Sequence, residues 1–134
     1  MFLTADEFKQ TAKVRPYRDV PVPELREDAI IRVRCFTALD KDQYDAAFWS
    51  MDETTGKPRY TAAGARARLL VLTCENADGS RMFTEADVAD LMAFRADVAD
   101  RVFDAAQTVC GLRADLEALK NVFGAARSGA LPSA

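Results

Sequence analysis

Residues 66–91, RARLLVLTCENADGSRMFTEADVADL, decide how this chain folds, because an apolar run, a tight polar turn and a capped helix start follow one another without a spacer. The run Leu69-Leu70-Val71-Leu72 predicts the buried half of a helix over residues 61–74, with Ala62, Ala65, Leu69 and Leu72 on one face. Asn76-Ala77-Asp78-Gly79 predicts a turn, since Asn and Asp tolerate left-handed backbone angles and Gly adopts them freely. Thr84 with Asp87 reads as a capping box, and Phe83 with Val88 as the staple that fixes the entry angle of the next helix. Two helices held together by one short turn element are expected.

Downstream, Val88, Leu91, Phe94, Val98, Val102, Ala105, Val109 and Leu112 share one stripe at 100° per residue, while Asp90, Asp97, Asp100 and Asp104 fall outside it. Unbroken, this helix would be ~40 Å long. Arg95 intrudes on the stripe, so a bend or break near Arg95-Ala96 is the alternative, and Gly111 can end the helix. Residues 115–123 predict one more helix with Leu116, Leu119, Val122 and Phe123 as its apolar side. The small residues after Gly124 bury too little surface to offset ordering entropy, so residues 124–134 read as a flexible tail.

Upstream, Thr4 with Glu7 predicts a capped first helix, with Leu3 stapled onto Phe8, ending before Pro16. Residues 17–22 alternate, but Pro21 and Pro23 lack the N–H that a central ladder needs, so an edge strand is the most they allow. Residues 29–36 give the strongest strand, with Ile31, Val33 and Cys35 on one face and Ile30, Arg32, Arg34 and Phe36 on the other. Asp40 with Gln43, flanked by Leu39 and Tyr44, predicts another capped helix, whose stripe is Tyr44, Ala47, Phe48 and Met51. Trp49 lies off that stripe. Either it closes a second small cluster with the hairpin of residues 17–36, or it is an anchor in an interface, where Trp is enriched. Residues 52–59, DETTGKPR, read as a loop.

A length of 134 residues suits one domain. With 49% apolar and 29% charged residues the composition is that of globular proteins, and no apolar run approaches the ~20 residues needed to span a bilayer. The N-terminus shows no basic-then-apolar signal, so use in the cytoplasm is expected. A net charge of -3, with basic residues scattered among acids, argues against binding nucleic acid through its phosphates. Cys35, Cys74 and Cys110 are far apart in sequence and lie among apolar neighbours, which suits small buried hydrophobes better than a disulfide framework.

The chain has no histidine, which removes the commonest proton-transfer side chain and the commonest metal ligand. The carboxylates of residues 87–104 sit on a polar helix face, where they need no catalytic role. Asp78-Gly79 lacks the spacing and closing Glu of an EF-hand, and Gly56-Lys57 lacks the upstream Gly of a phosphate-binding loop. No catalytic, cofactor-binding or metal-binding residue is therefore predicted. The remaining signal is an apolar and aromatic excess, with Trp49, Leu116, Leu119, Val122 and Phe123 as partner-binding candidates; Leu116, Leu119 and Phe123 could equally finish the core.

The succession of Arg18-Asp-Val-Pro-Val-Pro-Glu-Leu25, Ile30-Ile-Arg-Val-Arg-Cys-Phe36, Asp40-Lys-Asp-Gln-Tyr44, residues 66–91 and finally Leu112 through Lys120-Asn121 resembles the small tail assembly chaperones of long-tailed, siphovirus-type bacteriophages over residues 14–122. It departs from that pattern at Thr37-Ala38-Leu39, where a Gly is expected. Pattern and resemblance together imply one α+β domain over residues 1–123, mainly helical, with a small antiparallel hairpin or sheet packed against four to five helices. The resemblance further implies a non-enzymatic chaperone without a cofactor. Such a protein coats the tape measure protein in the cytoplasm of the infected bacterial host and keeps it soluble. It forms rings, helps recruit tail tube (major tail) protein through a longer product of a programmed frameshift, and is absent from the mature virion. The alternative is a small helical DNA-binding regulator built on the two helices around residues 76–80, although the acids of residues 90–104 would then face phosphates.

Overall fold

The strand expected at residues 29–36 forms as β2 (Ile30–Arg34), the centre of a three-stranded antiparallel sheet in the computed structural model, which describes residues 1–112. The strand β1 (Tyr17–Pro21) pairs along it from Tyr17↔Arg34 to Pro21↔Ile30 and lies at an edge, as its prolines require. Their connection is held by the Val22 N–H donating to the Ala29 carbonyl (2.9 Å). Alternation sorts the two faces. Val20 and Val33 are buried with Ile31 beside them, while on the opposite face the Tyr17 ring lies 4.4 Å from the Arg32 guanidinium and 4.8 Å from that of Arg34. Asp19, directly across from Arg32, pairs with it at 2.8 Å. Phe36, expected on the polar face, is buried: the strand stops at Arg34, and beyond it parity no longer governs direction.

The third strand was not expected. Cys74-Glu75 leaves the preceding helix in extended conformation and pairs with Val33 and Arg32 as β5 (Cys74–Glu75). The turn at residues 76–80 thus closes a small β-pairing and does not join two helices: Glu75 bridges to Arg81, the Asn76 N–H donates to the Ser80 carbonyl (2.8 Å), and Gly79 takes φ +86. The half-buried Arg34 guanidinium holds the buried Glu75 carboxylate at 2.9 Å, joining sheet centre to edge.

Five helices complete the α+β fold of the described residues. The first, α1 (Ala5–Ala12), is capped by the Thr4 hydroxyl accepting from the Glu7 N–H, but it buries none of its residues, and the expected staple pair Leu3 and Phe8 stays exposed. The second, α2 (Ala38–Ala46), starts earlier than expected. Thr37 is its cap and Asp40, expected to be the cap itself, is the reciprocating acid of the box. It also ends at Ala46, so Met51 is not on its stripe. Residues 49–51 instead form β3 (Trp49–Met51), paired with β4 (Pro58–Tyr60) in a separate two-stranded ribbon. Of the loop expected at residues 52–59, residues 52–57 form the ribbon's turn, with Gly56 at φ +68 and its N–H donating to the Asp52 carbonyl (2.7 Å), while Pro58 and Arg59 belong to β4.

The helix expected at residues 61–74 is α3 (Ala65–Thr73); its second half is buried as expected, with Leu69 wholly inaccessible. The acidic segment is broken, as the intrusion of Arg95 allows. A 3₁₀ turn (Glu85–Asp87) leads into α4 (Val88–Met92), Arg95 turns extended at ψ 133, and α5 (Ala96–Val109) follows. The break takes the Arg95 guanidinium off the apolar stripe and onto Asp97 (2.8 and 2.9 Å). Val98, Val102, Ala105 and Ala106 of α5 bury against α3 and the sheet, while Phe94, in the break, is left exposed. Gly111, at φ +75, ends the helix as expected. The helix expected over residues 115–123, with Leu116, Leu119, Val122 and Phe123, and the tail over residues 124–134 lie outside the described residues.

Candidate functional site

The ribbon of β3 and β4 carries the most distinctive surface among the described residues. Trp49 pairs with Tyr60 and Met51 with Pro58, so these four side chains share one face, while Ser50 and Arg59 share the other. That face is uncovered: Trp49 is 57% exposed, Tyr60 57% and Met51 63%. A two-stranded ribbon is marginal by itself in water. Here it is tied to the core by a chain of rings: Phe36 to Tyr44 (centroids 6.0 Å apart), Tyr44 to Phe48 (4.8 Å), Phe48 to Tyr60 (5.9 Å) and Tyr60 to Trp49 (5.2 Å). The chain starts in the core and ends in water. The Thr61 N–H donating to the Phe48 carbonyl (2.8 Å) extends the ladder toward α2.

Beside the ribbon opens a groove of about 600 Å³, lined by Tyr44, Phe48, Trp49, Tyr60, Phe103 and Leu112. Its polar members besides the tyrosine hydroxyls are Asp45 and Gln107. Burial, with Tyr60 acting the same way, raises the Tyr44 phenol above its ordinary range, so the groove stays neutral there at physiological pH. Rings with a polar tip and an apolar body are suited to contact with another chain.

Each element aims a part of this site. Asp40 accepts from the Thr37 N–H (3.2 Å) and from the Arg81 guanidinium (2.7 Å), which pins the start of α2 to the turn after β5 and so orients Tyr44 and Phe48. Burial opposes the charge on Asp40, yet the Thr37 and Arg81 hydrogen bonds outweigh it and hold the carboxyl below its ordinary range. Of the predicted partner-binding residues, Trp49 lies in the site, whereas Leu116, Leu119, Val122 and Phe123 lie outside the described residues. Trp49 packs against the hairpin of residues 49–60, not that of residues 17–36. Sequence reasoning missed Met51, Tyr60 and Phe103. The signal for the first two was present: alternating Trp49/Met51 and Pro58/Tyr60 flank a Gly-containing turn, the mark of a hairpin.

The other constellations resolve into structure. Asp97 pairs with Arg95 and Asp100 with Arg66, as a solvated charged face would. Asp78 accepts from the Ser80 N–H (2.9 Å) inside its own turn. Burial pushes the Cys74 thiol up to about 12. Burial also pushes Cys110 up to about 12, with Cys35 adding to it, so two cysteines distant in sequence are neighbours in space. Among the described residues no group of His, Cys, Asp or Glu converges to hold a metal ion, and no helix is long and apolar enough to cross a membrane. Between α3 and α4 lie β5, the turn and the 3₁₀ segment, so these helices lack the short connection of a helix-turn-helix. Compared with known proteins, the chain matches no family model, no curated protein and no solved structure.

Proposed function

We propose that this chain is a non-enzymatic tail assembly chaperone of a long-tailed bacteriophage, one that binds the tape measure protein and keeps it soluble. The observation that carries this reading is the uncovered aromatic face of Trp49, Met51 and Tyr60, continuous with the groove against Phe103. A long amphipathic client helix presents apolar side chains at i, i+3, i+4 and i+7, and a ring-lined groove takes such anchors without any chemistry. Trp and Tyr at the centre of such a contact each contribute about 2 kcal/mol or more, roughly 30-fold in affinity.

On this reading the protein acts in the cytoplasm of the infected host, self-associates, helps recruit tail tube subunits through a longer frameshifted product, and is absent from the virion. Co-expression with a phage tape measure protein, taken from the same genome, tests the reading. Trp49→Ser with Tyr60→Ser, folded by circular dichroism, should leave the client in the pellet while the parent chain keeps it in the supernatant. Equal solubilisation by both proteins, or by neither, would refute it.

A further inference from the structure

Every residue from Met1 to Val14 is exposed, although α1 lies within that stretch. Ala5, Phe8 and Ala12 recur at helical spacing on one side of it, and Phe2 and Leu3 come just ahead of its Thr4 cap. A helix of 8 residues is marginal by itself in water. This one is amphipathic, and no described residue of its own chain covers its apolar side.

A second uncovered surface lies where α3, α4 and α5 meet. A groove of about 390 Å³ opens there, lined by Gly64, Ala65, Ala96 and Ala99 together with the exposed Met92 and Phe94. Small residues leave room for a helix that is itself faced with alanines, and the flexible Met92 can adapt to a ring placed against it.

We infer that α1 of one copy docks in the α3–α4–α5 groove of a second copy, with Phe8 seated between Met92 and Phe94 and the copies joined head to tail. Its own groove is out of reach. The arm is rooted at Arg15, whose carbonyl accepts from the Arg34 guanidinium (3.0 Å) and whose own guanidinium donates to the Cys35 carbonyl (2.9 Å). Cys35 adjoins Cys110, at the far end of α5 from Ala96. The 14 residues of α5 therefore set the groove ~21 Å from that root, whereas Phe8 reaches only ~16 Å from Arg15 through its helical turn and the extended connector.

Charge favours this groove over the one beside the ribbon. Lys9 borders the apolar stripe of α1 and Asp90 stands on α4, and neither side chain has a partner among the described residues, whereas Asp45 beside the ribbon is held by Lys41 (2.5 Å). Docking would bury ~500 Å² of the arm and as much of the groove, ~1,000 Å² in all, the low end for a specific contact, so association is expected in the micromolar range.

The inference gives a surface to the self-association named above without resting on the phage reading. Its test contains no client and leaves Trp49 and Tyr60 untouched, so either can fail alone. Sedimentation velocity of the full chain from low to high micromolar concentration should show reversible association. Phe8→Asp and Met92→Asp, each with an unchanged far-UV spectrum, should raise the Kd by about 30-fold or more and so stay monomeric. Mixed in equal amounts, they should form a heterodimer through the intact arm of one and the intact groove of the other. A monomeric parent chain, a Phe8→Asp chain that associates like the parent, or variants that do not combine would overturn the inference. Should Met92→Asp unfold, the chain carrying Phe8→p-benzoylphenylalanine keeps the groove intact. Irradiated at the same concentrations, it should give a dimer-sized product cross-linked within residues 62–67 or 88–99. A monomer-sized product, cross-links elsewhere, or none overturns the inference.

Discussion

Removing the Asp40 carboxylate should loosen the start of α2 and, through it, the rings that α2 aims into the groove. The Asp40 side chain is only 10% exposed, while that of Arg81 is 49% exposed. Exposed ion pairs contribute about 0.2–1 kcal/mol, and breaking a fully buried pair costs about 3–5 kcal/mol, so this mixed pair should couple by about 1–2 kcal/mol. Asp40→Ala also removes the acceptor for the Thr37 N–H, about 1 kcal/mol more, for a total of about 2–3 kcal/mol. Arg81→Ala should cost about 1–2 kcal/mol, because the carboxylate keeps its Thr37 partner. Urea unfolding of both single variants and the double variant measures the coupling.

The pH dependence gives a second check. Asp40 is held below its ordinary 3.8 in the folded chain, so its contribution is complete above that value and is lost as pH falls through the lower, folded one. The stability gap between the parent chain and Asp40→Asn should therefore be constant near neutrality and shrink only in that acid window. A coupling energy under about 0.3 kcal/mol, or a gap insensitive to acid, would refute the claim that this pair anchors α2.

Leu69→Ala, at a wholly inaccessible position, should cost about 3 kcal/mol in urea unfolding, whereas Met51→Ala on the open face should stay within about 0.5 kcal/mol; equal losses would mean that the ribbon face is covered. Gly56→Ala puts a Cβ into open space but at φ +68, so strain alone should lower stability by about 1 kcal/mol, and a melting temperature at or above the parent's would contradict that. With its thiol raised from 9.0 to about 12, Cys74 should react with iodoacetamide near pH 8 about a thousandfold slower in the folded chain than in urea; rapid labelling of the native protein would contradict its burial.

Local chemistry written into the chain determined the edge character of residues 17–21, the alternation of Ile31 and Val33, the burial of Leu69 to Val71, the break at Arg95 and the stop at Gly111. Each rests on a proline, a periodicity, an intruding charge or a glycine that acts within a few residues, so each was legible without the rest of the molecule. Tertiary structure decided the rest. Cys74-Glu75 continues an apolar helical pattern, and only the edge of β2 waiting beside it makes extended pairing better than one more helical turn. Residues 49–51 carry Met51 at helical spacing from Tyr44 and Phe48, yet Tyr60 offers Trp49 and Phe48 a ring to pack on, and the chain leaves the helix to reach it. The aromatic face thus follows from a pairing between segments separated by a six-residue turn, and the groove from the arrival of Phe103 of α5 and of Leu112 just beyond that helix. Such contacts are set by which surfaces remain unfilled once the core has closed, and periodicity along one segment does not encode that.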